Sequence, residues 1–284
     1  MMYRNQLSMV SLASGSQGNC YYIWNDENGV LIDCGISTKQ IMARLKQLGF
    51  HRPRIDAVFI THEHVDHIAS CAVLSRYLAK NGQNPKFYMS SGTYHAASVA
   101  CIPPNVLQIA EGMEITVGSL NVEAFTVPHD GIGTMGYRVG FGGHWAGVIT
   151  DLGYVNDTIL DKLRSFSMMA FEFNHDVDML MKNDNYPLHV KERIRSDYGH
   201  LSNIQAANAL HQAVSPRLQH LILAHISEQN NIPDLAHYLA EDALNRTRHL
   251  DIVSLHVAQQ NEPSPIFTVD KPPQICLSSA FLGL

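Results

Sequence analysis

The sequence predicts a mixed α/β (α+β) fold, a four-layer αββα sandwich in which two sheets pack face to face with helices on both outer surfaces. Two observations predict it. The chain runs as two successive blocks, each with strands first and helices after, and no linker or low-complexity segment parts them. With 284 residues, 45% of them hydrophobic, it can bury a large core. It reads as one domain, 1–284, with an extended tail from about 259.

Residues 6–13 and 20–24 read as strands around Ser14-Gly15-Ser16-Gln17-Gly18-Asn19, whose glycines permit backbone angles that other residues resist. A hairpin at 26–29 leads into a third strand, 30–33, so the chain opens as a β-meander. Ser37 caps a helix in which Ile41, Met42, Leu45 and Leu48 recur at helical spacing, and Gly49 ends it. Residues 55–60 form the next strand, followed by a helix from His67 to about Asn81 and Gly82. Short strands are expected at 87–89, 113–117, 120–126, 136–141 and 144–150, with glycine-bearing turns linking the last four. Strands at 168–173 and 218–223 enclose helices near 187–196 and 203–214. A last helix, about 233–244, precedes a strand around 252–253. Pro263, Pro265, Pro272 and Pro273 mark the tail as an extended appendage.

Lysine and arginine number 20 against 26 acidic residues, a net charge of -6. This excludes a globally basic nucleic-acid binder but leaves room for a local groove, for which Lys182, Lys191, Arg193 and Arg195 are the candidates. Cys20, Cys34, Cys71, Cys101 and Cys276 are scattered, with no C-x-x-C pair. They read as reduced thiols of a cytoplasmic protein, neither a disulfide framework nor a cysteine zinc site. No run approaches the roughly 20 apolar residues of a membrane-spanning helix. The segment Leu7-Ser8-Met9-Val10-Ser11-Leu12-Ala13 imitates a signal sequence only faintly; it is short and serine-broken, and reads as the first strand.

The chemistry is concentrated in Thr61-His62-Glu63-His64-Val65-Asp66-His67-Ile68, just past the strand 55–60. With 16 histidines in the chain most are bystanders, yet three imidazoles and a carboxylate within six positions are metal-ligand spacing. His62 and His64 can turn toward one ion where a strand opens into a loop, while the adjacent Asp66 and His67 face a second. One short run would leave two ions under-coordinated. His129, Asp151 and His225 each stand where an apolar strand stops, and supply the remaining donors.

This set, H-x-H-x-D-H at 62–67 followed by His129, Asp151 and His225, resembles the metallo-β-lactamase fold superfamily over nearly the whole chain. The resemblance implies that His62, His64 and His129 hold one metal, Asp66, His67 and His225 the other, and that Asp151 bridges them. Within that superfamily, Ala13 to Asn19, Glu172-Phe173-Asn174-His175-Asp176 and Gly199-His200-Leu201-Ser202-Asn203 resemble the YycJ/WalJ (VicX) subfamily of 5′→3′ DNA exonucleases. The stretch around Gly199-His200 is also similar to ribonuclease Z, where the matching histidine assists phosphodiester cleavage.

The expectation is therefore a hydrolase, a nuclease with two divalent ions, Zn2+ or Mn2+, that lower the pKa of a shared water toward about 7 for attack on phosphorus. DNA is the favoured partner and RNA the alternative; the oligomeric state stays open. Asp66 is read as orienting the nucleophile as well as ligating, and His200 as assisting the departing oxygen. Ser14, Ser16 and Asn19 either cradle a phosphate or simply close a tight hairpin. Asn174 and His175 either contact substrate or belong to a polar loop. A small-molecule hydrolase acting on a cyclic phosphodiester, a thioester or a lactam is the competing function.

Overall fold

The computed structural model describes residues 6–249 and 251–270. In the first half, strands β1 (Gln6–Ala13), β2 (Cys20–Trp24) and β3 (Gly29–Ile32) lead to helix α1 (Thr38–Gln47) and strand β4 (Ala57–Phe59). Helices α2 (Val65–Ile68) and α3 (Cys71–Lys80), strand β5 (Lys86–Ser90), helix α4 (Ser91–Ala96) and strand β6 (Val106–Ile109) follow. The second half opens with β7 (Glu114–Val117), β8 (Leu120–Thr126), β9 (Met135–Phe141) and β10 (His144–Ile149). It continues through α5 (Asp157–Ser165), β11 (Met168–Glu172), α6 (Val177–Lys182), α7 (Leu188–Arg195), α8 (Asn203–Ala213), β12 (His220–Ala224), α9 (Pro233–Arg246), β13 (Ser254–Val257) and β14 (Phe267–Asp270).

Two seven-stranded sheets result, with orders β14-β1-β2-β3-β4-β5-β6 and β13-β12-β11-β10-β9-β8-β7. Each begins as an antiparallel meander and then turns parallel, where crossovers of a dozen or more residues carry helices onto the outer face. Inner strands such as β3, β4 and β11 are buried on both sides, as a parallel sheet covered on two faces requires. Val30 and Ile32 enter the central core with Tyr137, Val148 and Ile222 from the other sheet. Leu31 points outward to Ile41 and Leu45 of α1 and Leu74 and Leu78 of α3. On the far side, Leu221 and Leu223 face Leu163 of α5, Leu210 of α8 and Leu244 of α9. Three apolar layers between four structural layers give the expected sandwich.

Three expectations need correction. The helix foreseen from His67 to Asn81 is two helices, because its early carbonyls are taken by another segment: Asn19 N–H donates to Asp66 O (2.7 Å) and Cys34 N–H to His67 O (2.9 Å). Gly35 makes that approach feasible, since a Cβ there would sit 1.6 Å from the Asp66 carbonyl oxygen. The tail is no appendage up to residue 270. β14 pairs antiparallel with β1, Leu7 opposite Val269, and its Phe267 and Val269 enter the central core. Pro272, Pro273 and Cys276 lie outside the described residues. The strand expected at 252–253 begins at Ser254, because α9 runs on to Arg246 and a turn closed by His249 N–H on Leu244 O (2.9 Å) follows it.

Candidate metal centre

Strands β3 and β4 run parallel in the first sheet; β10, β11 and β12 run parallel in the second, and β8 points the same way as β10 through the antiparallel β9. Their C-terminal ends carry the predicted ligands. His62 and His64 lie in the loop after β4, Asp66 and His67 in α2, His129 after β8, Asp151 after β10 and His225 directly after β12. Strand ends of an α/β sheet are where side chains from different segments converge on one crevice.

The structure brings all seven together. Donor atoms of His62, His64 and His129 lie within 4.8 Å of one another, as do those of Asp66, His67 and His225. Asp151 joins both sets: its Oδ2 is 3.1 Å from His67 Nε2, and its Oδ1 is 3.5 Å from His225 Nε2 and 3.9 Å from His129 Nε2. His62, His67, His129, Asp151 and His225 are buried; His64 and Asp66 are partly open to solvent.

Second partners aim the imidazoles. His67 Nδ1 donates to Asp33 (2.8 Å), His129 Nδ1 to the Gly199 carbonyl (3.0 Å) and His225 Nδ1 to Glu172 (3.1 Å), while His62 Nδ1 meets the Thr61 hydroxyl (3.0 Å). Each bond leaves Nε2 facing the cluster, that of His67 beside Asn19 and Asp151, which is how proteins prepare histidine for a metal. The Nε2 atoms of His62, His129 and His225 and Oδ2 of Asp151 are buried with no hydrogen-bond partner. Orphaned buried polar atoms are costly, and four of them spread over two neighbouring donor sets fit divalent cations. The donor set, imidazole plus carboxylate, is of the kind that zinc and manganese accept.

The backbone is also strained here. Asp33, Asp151 and His225 adopt φ of 61°, 59° and 55°. That left-handed region costs non-glycine residues free energy and is retained where a side chain must be re-aimed.

Electrostatically the bare cluster is a zwitterion. Burial opposes charge on His225, but Asp151, Asp66 and Glu172 outweigh it and push its pKa up to about 10. Burial likewise opposes charge on His67, and Asp151, Asp33 and Asp66 still raise it well above the usual range. Burial acts to raise Asp151, yet His225 and His67 hold it well below the ordinary carboxylate value. His62 is lowered well below normal by burial and then by its neighbour His67. Cations therefore compete with protons for this site, and metal binding would release them.

The other predicted residues sort differently. His200, half-buried, directs Nδ1 onto Glu172 Oε1 at 2.8 Å, and its ring stacks on that of His225 at 5.1 Å between centroids. In the Gly-rich turn, Ser14 and Asn19 are buried and bonded within the protein. Ser14 is buried, accepting the His225 N–H (2.7 Å) and bonding the Tyr21 hydroxyl (2.8 Å). Asn19, fully buried, bonds Gly15 N–H (3.0 Å) and lies 3.0 Å from His67 Nε2. Only Ser16 of the three is exposed. Asn174 donates to the His225 carbonyl (2.8 Å), and His175 is buried with neither ring nitrogen partnered. Both are buried.

The expected basic groove shrinks too. Lys191 is buried, donating to the Met181 carbonyl (2.8 Å), and Arg193 is engaged by Asp130. Lys182 and Arg195 remain.

Sequence reasoning missed Asp33, Thr61 and Glu172. Asp33 and Glu172 carried the same signal that identified Asp151, an acid at the end of an apolar strand. Glu172 accepts from Leu152 N–H (2.8 Å), Leu201 N–H (3.2 Å), His200 and His225.

Two sheets whose strand ends share a His/Asp cluster fitted to divalent cations define a metal-binding sandwich of hydrolase type. Residues 28–226 match the family described as "Beta-lactamase superfamily domain", and the chain belongs to that superfamily. It is 36% identical over 228 residues to "Exodeoxyribonuclease YycJ" of Bacillus anthracis, spanning 79% of this chain and 84% of that protein. It is 35% identical over 231 residues to "Exodeoxyribonuclease WalJ" of Streptococcus pneumoniae, spanning 80% and 84%. Among solved structures, the metallo-beta-lactamase fold protein YhfI from Bacillus subtilis superposes with a TM-score of 0.66 over 93% of this chain and 100% of that one; at 15% identity this shows the fold alone. Among the described residues no helix is long and apolar enough to cross a membrane.

Proposed function

We propose that this chain is a metal-dependent exodeoxyribonuclease that degrades DNA in the 5′→3′ direction. The carrying observation is the set of buried, unpartnered donors from His62, His129, Asp151 and His225 at one crevice. Two relatives that cover most of the chain and are named exodeoxyribonucleases support the choice of substrate.

His62, His64 and His129 would hold one ion, Asp66, His67 and His225 another, with Asp151 shared; zinc and manganese both suit these donors. Bound there, such ions supply Lewis acidity toward phosphate oxygens and a water of lowered pKa. The chain's own residues do the rest. Asp66, partly open to solvent, can accept a hydrogen bond from an attacking water and so orient it. His200, fixed through Nδ1 by Glu172, keeps Nε2 available to stabilise charge on a phosphoryl oxygen or pass a proton to the departing oxygen. The same reading has the chain acting as one domain in the cytoplasm.

End-labelled single- and double-stranded DNA and RNA, with zinc, manganese or magnesium added, test this. Shortening of DNA from its 5′ end is expected, abolished by His64→Ala and by Asp151→Ala. His200→Ala should lower kcat by about 10²- to 10⁴-fold while the metal content stays at the wild-type level. Cleavage of RNA alone, or of a thioester, lactam or cyclic phosphodiester with no attack on DNA, overturns the assignment.

A further inference from the structure

We propose that Ser14 of the Gly-rich turn and Asn174 are positioning residues that lock His225 in its left-handed backbone conformation. Through it they set the affinity of the ion at Asp66, His67 and His225, and not that of the ion at His62, His64 and His129. The proposal deepens the metal reading above and rests on it.

His225 stands where the parallel ladder of β11 and β12 ends. Glu172 pairs with Ala224 in register. The next backbone bonds between the two segments run from Phe173 N–H to the Ala224 carbonyl (3.0 Å) and from Ser227 N–H to the Asn174 carbonyl (2.9 Å). His225 lies between them with a φ of 55°, and its own peptide groups turn to side chains. Its N–H donates to Ser14 Oγ (2.7 Å), and its carbonyl accepts from Asn174 Nδ2 (2.8 Å).

All three residues are buried, where a peptide group needs a partner and a strained backbone angle persists only if its surroundings over-determine it. Ser14 and Asn174 supply that from two sides of one residue. Glu172 adds a third bond, on the ring at Nδ1 (3.1 Å). Together they fix where Nε2 points: 3.5 Å from Asp151 Oδ1 and 3.7 Å from Asp66 Oδ2.

Ser14 is itself anchored. Its N–H donates to the Gln259 carbonyl (3.2 Å), and its hydroxyl bonds that of the buried Tyr21 (2.8 Å). Asn19 braces the turn, accepting the Gly15 N–H at Oδ1 (3.0 Å) and donating from Nδ2 to the Gly15 carbonyl (3.1 Å). Its own N–H donates to the Asp66 carbonyl (2.7 Å). The same turn thus grips the backbones of Asp66 and His225, two donors of one set. His62 and His129 are held instead by Thr61 and the Gly199 carbonyl, so a change at Ser14 reaches one donor set and spares the other.

The test is metal affinity, read without reference to turnover. Purified full-length protein is stripped of metal, then titrated with zinc and separately with manganese against a chromophoric chelator, with metal content measured per chain. The wild type should bind two ions. Ser14→Ala should keep one at wild-type affinity and weaken the other by about 10- to 100-fold, as when groups supporting a metal ligand are changed. Asn174→Ala should weaken the same ion, and Ser14→Thr, which keeps the hydroxyl, should recover most of the loss. With cobalt(II) bound, Ser14→Ala should shift the visible d–d bands of one site. Asn156→Ala, which removes the side chain capping α5 at Ile159 N–H, should lower stability and leave both affinities unchanged. Two ions bound by Ser14→Ala and Asn174→Ala within about twofold of wild type, with an unchanged cobalt spectrum, overturn the positioning role. So does an equal loss of affinity in Asn156→Ala, which would make the effect one of general destabilisation. A wild type that binds no metal overturns the metal reading itself.

Discussion

Asp33 and Glu172 stand at matching places in the two sheets, one just past β3 and the other at the end of β11, both fully buried and both bonded to the Nδ1 of a candidate ligand. Their surroundings differ. Asp33 bonds Thr61 N–H (2.8 Å), the Thr61 hydroxyl and His67, all within a single seven-residue stretch of chain. Glu172 gathers Leu152, His200, Leu201 and His225, which come from three separate segments. The first is a local clip; the second is a junction. Burial dominates Asp33 and raises its pKa despite His67 and Thr61. Burial opposes ionisation of Glu172 as well, but His200 and His225 hold it at about 2. What separates the two is how many imidazoles and how many chain segments depend on one carboxylate.

The contrast predicts unequal damage. Glu172→Ala strands two imidazoles and two backbone N–H groups in a dry interior, and should cost about 3–5 kcal/mol, as for breaking a buried charged network. Asp33→Ala strands the Thr61 amide and His67 and should cost less, about 2–3 kcal/mol. Urea denaturation of the metal-free proteins measures both. A larger loss for Asp33→Ala would break the comparison, because it would make the first sheet's clip the main support of the site.

Much of this was legible in the sequence, for physical reasons that also explain the remainder. Strands buried on both faces, such as Val30-Leu31-Ile32, announce themselves as apolar runs. The candidate ligands were visible because each is a polar residue at the end of such a run, which is why His129, Asp151 and His225 could be picked out across nearly a hundred residues. Asp33 and Glu172 obey the same rule but were passed over, since a metal ligand and a residue bonding the back of its imidazole look alike in one dimension. Ser14 and Asn19 left two readings open, a phosphate cradle or a tight hairpin, for a related reason. A Gly-rich turn signals close backbone approach, and here what approaches is α2 and the β12 end rather than a phosphate. The break between α2 and α3 and the return of β14 to β1 depend on hydrogen bonds between residues distant in sequence, which no local pattern records.

A last, pH-dependent effect sharpens the comparison at its weakest-bonded member. On the Asp33 side, the buried rings of His62 and His67 each have a partner at Nδ1. On the Glu172 side, His175 is buried with neither nitrogen partnered, and burial lowers its pKa to about 4. An unfolded histidine titrates near 6.5, so between these values the unfolded chain binds a proton that the folded chain does not. Stability from this group is complete above about pH 6.5 and is lost as pH falls toward about 4, by up to about 3 kcal/mol. His175→Leu removes the titrating group while filling the same space. The stability difference between metal-free wild type and His175→Leu should therefore shift in favour of the variant by about that amount from pH 7 to pH 4. Denaturant midpoints across the range measure it. Parallel curves would show that His175 is protonated as readily in the fold as outside it, and that the junction side of the site carries no acid-labile member of its own.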